Sequence, residues 1–160
     1  MVATLAEILP HAARQHGDRT ALIVDDRRFS FRELDSLTNR VANGLTAGDV
    51  KPGDRVTLFG PNCWEWLVSY YGIAKTGAVV NPINVMLTTE EVRYAVTDSA
   101  ARAVIASPDK GEALLDMKGV ANLADVVIWG DTPVTGSTRL SDWLHHGKPE
   151  FSHHLRKPSD

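Results

Sequence analysis

Cys63 is the residue in this sequence best placed to act as a nucleophile. It follows the turn-like "LFGPN" and precedes the apolar run "WEWLVSYYGIAK", so it falls at the start of a predicted helix. A helix N-terminus stabilises a thiolate. The ordinary reading outweighs this one, because cysteine is so often simply a small buried side chain. The pairs His145-His146 and His153-His154 have the chemistry of metal ligands. Adjacent side chains point apart, both pairs lie in polar sequence, and no cysteine or carboxylate stands at supporting spacing. They read as solvated histidines, and no metal ligands are assigned.

Phosphate chemistry finds little to use. There is no G-x-G-x-x-G after a strand and no G-x-x-x-x-G-K-S/T. The single glycine of "LFGPN" reads as a turn before a helix. No G-x-S-x-G elbow is present. Trp64, Trp66, Trp129 and Trp143 are not interleaved with lysine or arginine, so they read as core and rim packing and not as a base-stacking surface. No catalytic residue is assigned.

One polar loop stands out, in "GAVVNPINVMLTTEE" at residues 77–91. Val79 and Val80 read as a buried strand. Pro82 fixes the backbone as the chain leaves the sheet. Asn81 and Asn84 can bond loop backbone through their side chains. Thr88 and Glu91 then form a capping box that opens a helix. The loop lies at the carboxyl end of a strand, where ligands of open α/β sheets bind.

The elements around it alternate. "TLAEILPHAARQH" predicts a helix with Leu5, Ile8, Leu9 and Ala12 on one face and Pro10 near a first turn or at a kink. "TALIVDDRRFSF" predicts a hairpin turning at Asp25-Asp26. Ser30 and Glu33 cap a helix whose buried face is Leu34, Leu37, Val41 and Leu45, with Gly48 as its left-handed stop. "RVTLFG" is a strand, followed by a helix capped by Asn62, ending before Gly77 and buried on more than one side. "TEEVRYAVTDS" and "KGEALLDMKGV" predict helices, "ARAVIASP" and "ADVVIWG" strands, and "STRLSDWLHHG" a short helix. The expected fold is α/β: a mainly parallel sheet flanked by helices, over residues 1–147, with 148–160 as a linker.

The totals agree with one domain or part of a larger one. The chain has 160 residues, 43% apolar and 23% charged, with net charge −3, and a chain of this size buries about 70% of its unfolded surface. Mixed charge favours neither nucleic acid nor an anionic membrane. A single cysteine excludes an internal disulfide and fits a reducing, cytoplasmic compartment. No secretory signal is present, and no apolar run is long enough to span a bilayer.

Three phrases in order carry a resemblance: "HGDRTALIVDDRRFSFRELDSLTNRVANGL", "VKPGDRVTLFGPNCWEWLVSYYGIAKTGAVVNPIN" and "LTTEEVRYAVTDSAARAVIA". From about Thr4 to about Trp129 the series resembles the start of the adenylate-forming superfamily, and "GAVVNPIN" with "LTTEEV" its acyl-CoA synthetase branch. The resemblance implies the N-terminal subdomain of the large domain. It implies that the complete enzyme uses ATP, Mg2+ and CoA to turn a fatty or related carboxylic acid into its CoA thioester through an acyl adenylate. It places Asn81, Pro82, Asn84 and Met86 at the border of a substrate or CoA entrance.

The sequence departs from the family where the chemistry is expected. The phosphate loop, the adenine and ribose motifs, the hinge and the catalytic lysine are not in these residues. The chain therefore resembles an N-terminal piece (a truncation, a proteolytic product or a split gene) that is inactive alone and binds no cofactor tightly. Met86 stands where many CoA-forming relatives carry a basic residue, so it offers no phosphate contact and reads as loop packing. An apolar face and a strand edge left open by the missing parts predict self-association or a complementary chain. The alternatives are an acyl-AMP ligase that loads a carrier protein, and a non-catalytic binding module on the same fold. An unrelated doubly wound nucleotide-binding domain is disfavoured by the missing glycine fingerprint.

Overall fold

The computed structural model describes residues 4–152. Helix α1 (Leu5–His16) leads into a separate antiparallel hairpin, β1 (Thr20–Val24) and β2 (Arg27–Ser30). Then come α2 (Phe31–Ala47), β3 (Arg55–Phe59), α3 (Trp64–Lys75), β4 (Val79–Ile83), α4 (Thr89–Asp98) and β5 (Ala103–Ala106). A short α5 (Pro108–Gly111) runs into a 3-10 turn, Glu112–Met117, followed by β6 (Asp125–Ile128), β7 (Thr138–Arg139) and α6 (Leu140–His146). The main sheet has five strands in the order β4-β3-β5-β6-β7, all paired in parallel.

Period-two alternation sends strand side chains to opposite faces. Val56, Leu58, Ile105 and Val127 join a core with α1, α2, α3 and α6, built on Leu9, Val41, Leu45, Val68, Ile73 and Leu140. Phe59, Val104, Val126 and Ile128 join a second core with α4 and the 3-10 turn, through Val92, Val96, Leu114 and Met117. Both faces of the central strands are covered, which is why β5 reads as an unbroken apolar run buried at every position.

Both predicted capping boxes are present. The Ser30 N–H and hydroxyl donate to the Glu33 carboxylate at 2.7 and 2.9 Å, and Thr88 donates twice to Glu91 at 2.8 Å. These bonds, led by the backbone amide, hold both carboxyls below the usual glutamate range. A depressed folded pKa gives stability that is present above the unfolded value and lost as pH falls through the folded one. Acid titration followed by circular dichroism is therefore expected to weaken α2 and α4 below the ordinary carboxylate range, and Glu33→Gln to remove that part of the acid response.

Several details differ from the sequence reading. Pro10 is the sixth residue of α1 and lies in its interior. Its ring is buried beside Ala6 and Leu9, while Leu5 is 47% exposed, so packing holds the helix through the missing donor. Gly48 has φ −80°; the left-handed residue is Asp49 at φ 62°, a short polar side chain that tolerates that region. The cap of α3 is Cys63 and not Asn62: its sulfur accepts the Trp66 N–H at 3.4 Å. "KGEALLDMKGV" is not one helix: its first two residues end the short α5, and Glu112–Met117 form a 3-10 segment. Strand β7 was not foreseen, being only two residues long.

The segment assigned to a linker is partly held. The carbonyls of Lys148, Pro149 and Glu150 accept from Asn43 and Asn39 on α2 at 2.7–2.9 Å. His153-His154 and the rest of that segment lie outside the described residues.

Candidate functional site at the carboxyl rim of the sheet

Strand β3 sits between β4, which follows it, and β5, which comes later. The connections therefore diverge at the carboxyl ends of β3 and β5, the switch point where open α/β sheets bind ligands. The loop after β3 begins at Gly60, and Ser107 follows β5 directly, at the start of α5. A Cβ on Gly60 would lie 2.5 Å from the Trp129 ring and 3.0 Å from the Ser107 hydroxyl oxygen. Only glycine allows that approach. Ser107 is 4% exposed, and its hydroxyl has no hydrogen-bond partner among the described residues.

Cys63 lies at this rim as the half-buried cap of α3. Burial is the main reason its thiol is pushed up to about 11, against a partial lowering by the Trp66 amide. An upward shift of about two units cuts the thiolate fraction about 100-fold, and the higher basicity returns about tenfold of that in reactivity. Iodoacetamide is expected to alkylate Cys63 in the folded chain at pH 8 about tenfold more slowly than free cysteine. An equal rate would contradict the raised thiol pKa.

The 77–91 loop takes a different form from the one expected. β4 does not end at Val80 but continues through Asn81 and Pro82 to Ile83. It is also the edge strand, and Val79 is 40% exposed. The Val79 N–H donates to the Asp54 carbonyl at 2.7 Å, so residues 79, 81 and 83 face β3 and residues 80 and 82 face outward. Pro82 thus places its missing N–H on the open edge, where no ladder bond is lost.

Asn81 does not bond loop backbone. Its side-chain amide donates to the hydroxyls of Thr57 and Ser99 at 3.2 and 3.3 Å, tying β4 to β3 and to the end of α4. Asn84 does act on the loop, accepting the Met86 N–H at 2.9 Å. Met86 is not loop packing: its residue is 83% exposed. Asn81 and Asn84 thus shape the same loop, while Met86 projects from it into solvent.

A cavity of about 280 Å³ opens beside the rim, lined by Arg27, Leu37, Trp64, Trp129, Leu140 and Ser141 among others. The Arg27 guanidinium lies 4.4 Å from the Trp64 ring centre and 5.0 Å from that of Phe29. The rings of Phe29 and Trp64 stack at 5.3 Å, so the hairpin is fastened to the start of α3.

The sequence reading missed Lys75. It is fully buried, and its ammonium donates to the Asp35 carboxylate at 2.6 Å, Thr38 Oγ1 at 2.6 Å, Asn39 Oδ1 at 2.7 Å and the Asp35 carbonyl at 3.1 Å. Burial pulls the ammonium below the ordinary lysine range, and Asp35 opposes that. The signal was present. Asp35, Thr38 and Asn39 share one face of α2, and Lys75 stands three residues after buried Gly72.

These residues do not by themselves fit an adenine nucleotide. Trp129 and Ser107 pack directly against Gly60 at the switch point, and Lys110, the basic residue of α5, lies over the Phe59 ring at 5.7 Å. Among the described residues, no group of three or more His, Cys, Asp or Glu is placed to hold a metal ion. His145 bonds the Ser141 carbonyl at 2.7 Å. No described helix is long and apolar enough to cross a membrane.

The profile of the family described as "AMP-binding enzyme" matches residues 9–155. The chain belongs to that family. Within it, the long-chain-fatty-acid–CoA ligase FadD13 of Mycobacterium tuberculosis is 42% identical over 80 residues, covering 50% of this chain and 16% of that protein. The crotonobetaine/carnitine–CoA ligase of Citrobacter koseri is 34% identical over 110 residues, covering 66% and 21%. The solved anthranilate CoA ligase AuaEII, in complex with anthranoyl-AMP, superposes with a TM-score of 0.87 at 28% identity, over 94% of this chain and 29% of that one. The α/β fold with a parallel sheet is therefore the fold of an AMP-binding enzyme. The chain spans about a fifth of the length of the curated relatives it matches.

Proposed function

We propose that this chain is the N-terminal α/β part of an ATP-dependent acyl-CoA ligase. In this reading residues 1–147 form a subdomain of the large domain, residues 148–160 lead onward, and the protein works in the cytoplasm. The substrates are a fatty or related carboxylic acid, ATP with Mg2+, and CoA. The observation that carries the reading is the superposition of nearly the whole chain on one part of a CoA ligase holding an acyl adenylate.

ATP supplies the activation of the carboxylate; residues outside this chain hold it. The residues described here shape the scaffold. Gly60, Ser107 and Trp129 pack together at the switch point, and Asn81, Pro82 and Asn84 set the edge of the sheet. Met86 stands on a loop at the substrate or CoA entrance, and its thioether cannot pair with a phosphate.

The rest of the ligase covers the outward edge of β4 and the exposed Leu5 and Val79 beside it. Alone, the chain self-associates through that surface or takes up a complementary chain. The test mixes it with a family ligase lacking the equivalent segment. Acid-dependent pyrophosphate release from ATP is expected from the mixture and from neither piece alone. A stable complex of the two pieces that releases no pyrophosphate would refute the reading.

A further inference from the structure

We infer that Asn39 and Asn43 of α2 are positioning residues that fix the path by which the chain leaves this fold. Three side chains on one helix clasp a single stretch of backbone. Arg40 Nη1 donates to the Leu144 and His145 carbonyls at 3.0 and 3.1 Å. Asn43 Nδ2 donates to the Lys148 and Glu150 carbonyls, both at 2.9 Å. Asn39 Nδ2 donates to the Pro149 carbonyl at 2.7 Å. Residues 144–150 are thus a strap laid along α2.

The chemistry of Asn39 is specific. Its Oδ1 accepts from Lys75, which only donates, and its Nδ2 donates to a proline carbonyl, which only accepts. The amide can face only one way. An aspartate there would keep the bond to Lys75 and lose the one to the strap. Asn39 therefore links the buried Lys75–Asp35 pair to the departing chain, and Asn43 holds the carbonyls on either side of the same proline. If the chain is part of a ligase, as proposed above, the strap delivers the following residues at a fixed place and heading.

The test separates this role from folding and from the proposed function. Glu-C protease cuts after Glu150, and the product lacking residues 151–160 is read by mass. In the 160-residue chain that cut is expected to be slow, and at least tenfold faster in N39D/N43D, which loses the three bonds to the Lys148, Pro149 and Glu150 carbonyls, while circular dichroism at the assay temperature shows the fold retained. The second arm uses a family ligase in which this chain replaces the equivalent segment. There N39D/N43D is expected to lower kcat with KM for the acid unchanged and the fold retained at the assay temperature. Equal cleavage of wild type and variant, or an unchanged kcat, overturns the assignment. If the wild-type chimera is inactive, the ligase reading fails, while the protease arm still decides the strap.

Discussion

Replacing Asp35 by alanine is expected to lower the unfolding free energy by about 3–5 kcal/mol. The Lys75 side chain is 1% exposed and Asp35 23%, so the partners are not equivalent. Removing the carboxylate strands an ammonium that water cannot reach. Removing the ammonium frees a carboxylate that water can partly solvate. Thr38 and Asn39 still accept from Lys75, which favours the lower end of that range. Lys75→Met is expected to cost less, and D35A/K75M less than D35A alone, because a well-packed apolar side chain replaces a buried charge at small cost. Urea unfolding of the variants measures the order. Equal loss in D35A and K75M would contradict the assignment of Lys75 as the buried partner.

Gly72→Ala is expected to destabilise the fold by about 1–3 kcal/mol, although alanine is the better helix former by about 1 kcal/mol. A Cβ on Gly72 would lie 2.6 Å from Val41 Cβ and Cγ1 and 3.2 Å from the Thr38 backbone carbonyl. Val41 is fully buried and β-branched, so it has no free rotamer to move into. The helix backbone at Thr38 cannot yield without shifting the Lys75 network one turn away. Steric cost therefore outweighs the propensity gain. A chain stabilised by Gly72→Ala would show that α2 and α3 have room to separate.

Most of the fold was legible because its local signals agree. The capping boxes at Ser30 and Thr88, the apolar face of α2 and the unbroken strand "AVIA" each admit one reading. Errors arose where a residue serves a tertiary purpose. Pro10 reads as a helix boundary, but its buried ring pins α1. Asn81 and Pro82 read as a loop because they are polar and rigid, yet on an edge strand both are compatible with the ladder. Lys75 reads as an ordinary C-terminal cation, since burial of a charge depends on partners 36–40 residues away.

The candidate site was legible only as a location. The carboxyl end of β4 was found from "GAVVNPIN". The neighbouring crevice was not, because Gly60, Ser107 and Trp129 come from three connections and meet only in the folded sheet. Cys63 reads as a thiolate candidate from its place at a helix start; in the fold it is a half-buried cap that accepts the Trp66 N–H.

The most direct test of the ligase assignment is isotope exchange between pyrophosphate and ATP in a chimera, with this chain in place of the equivalent segment of a family CoA ligase. Exchange that depends on the carboxylic acid, at a rate within about tenfold (about 1.4 kcal/mol) of the parent ligase, is the predicted result. A folded, soluble chimera with no acid-dependent exchange would contradict it.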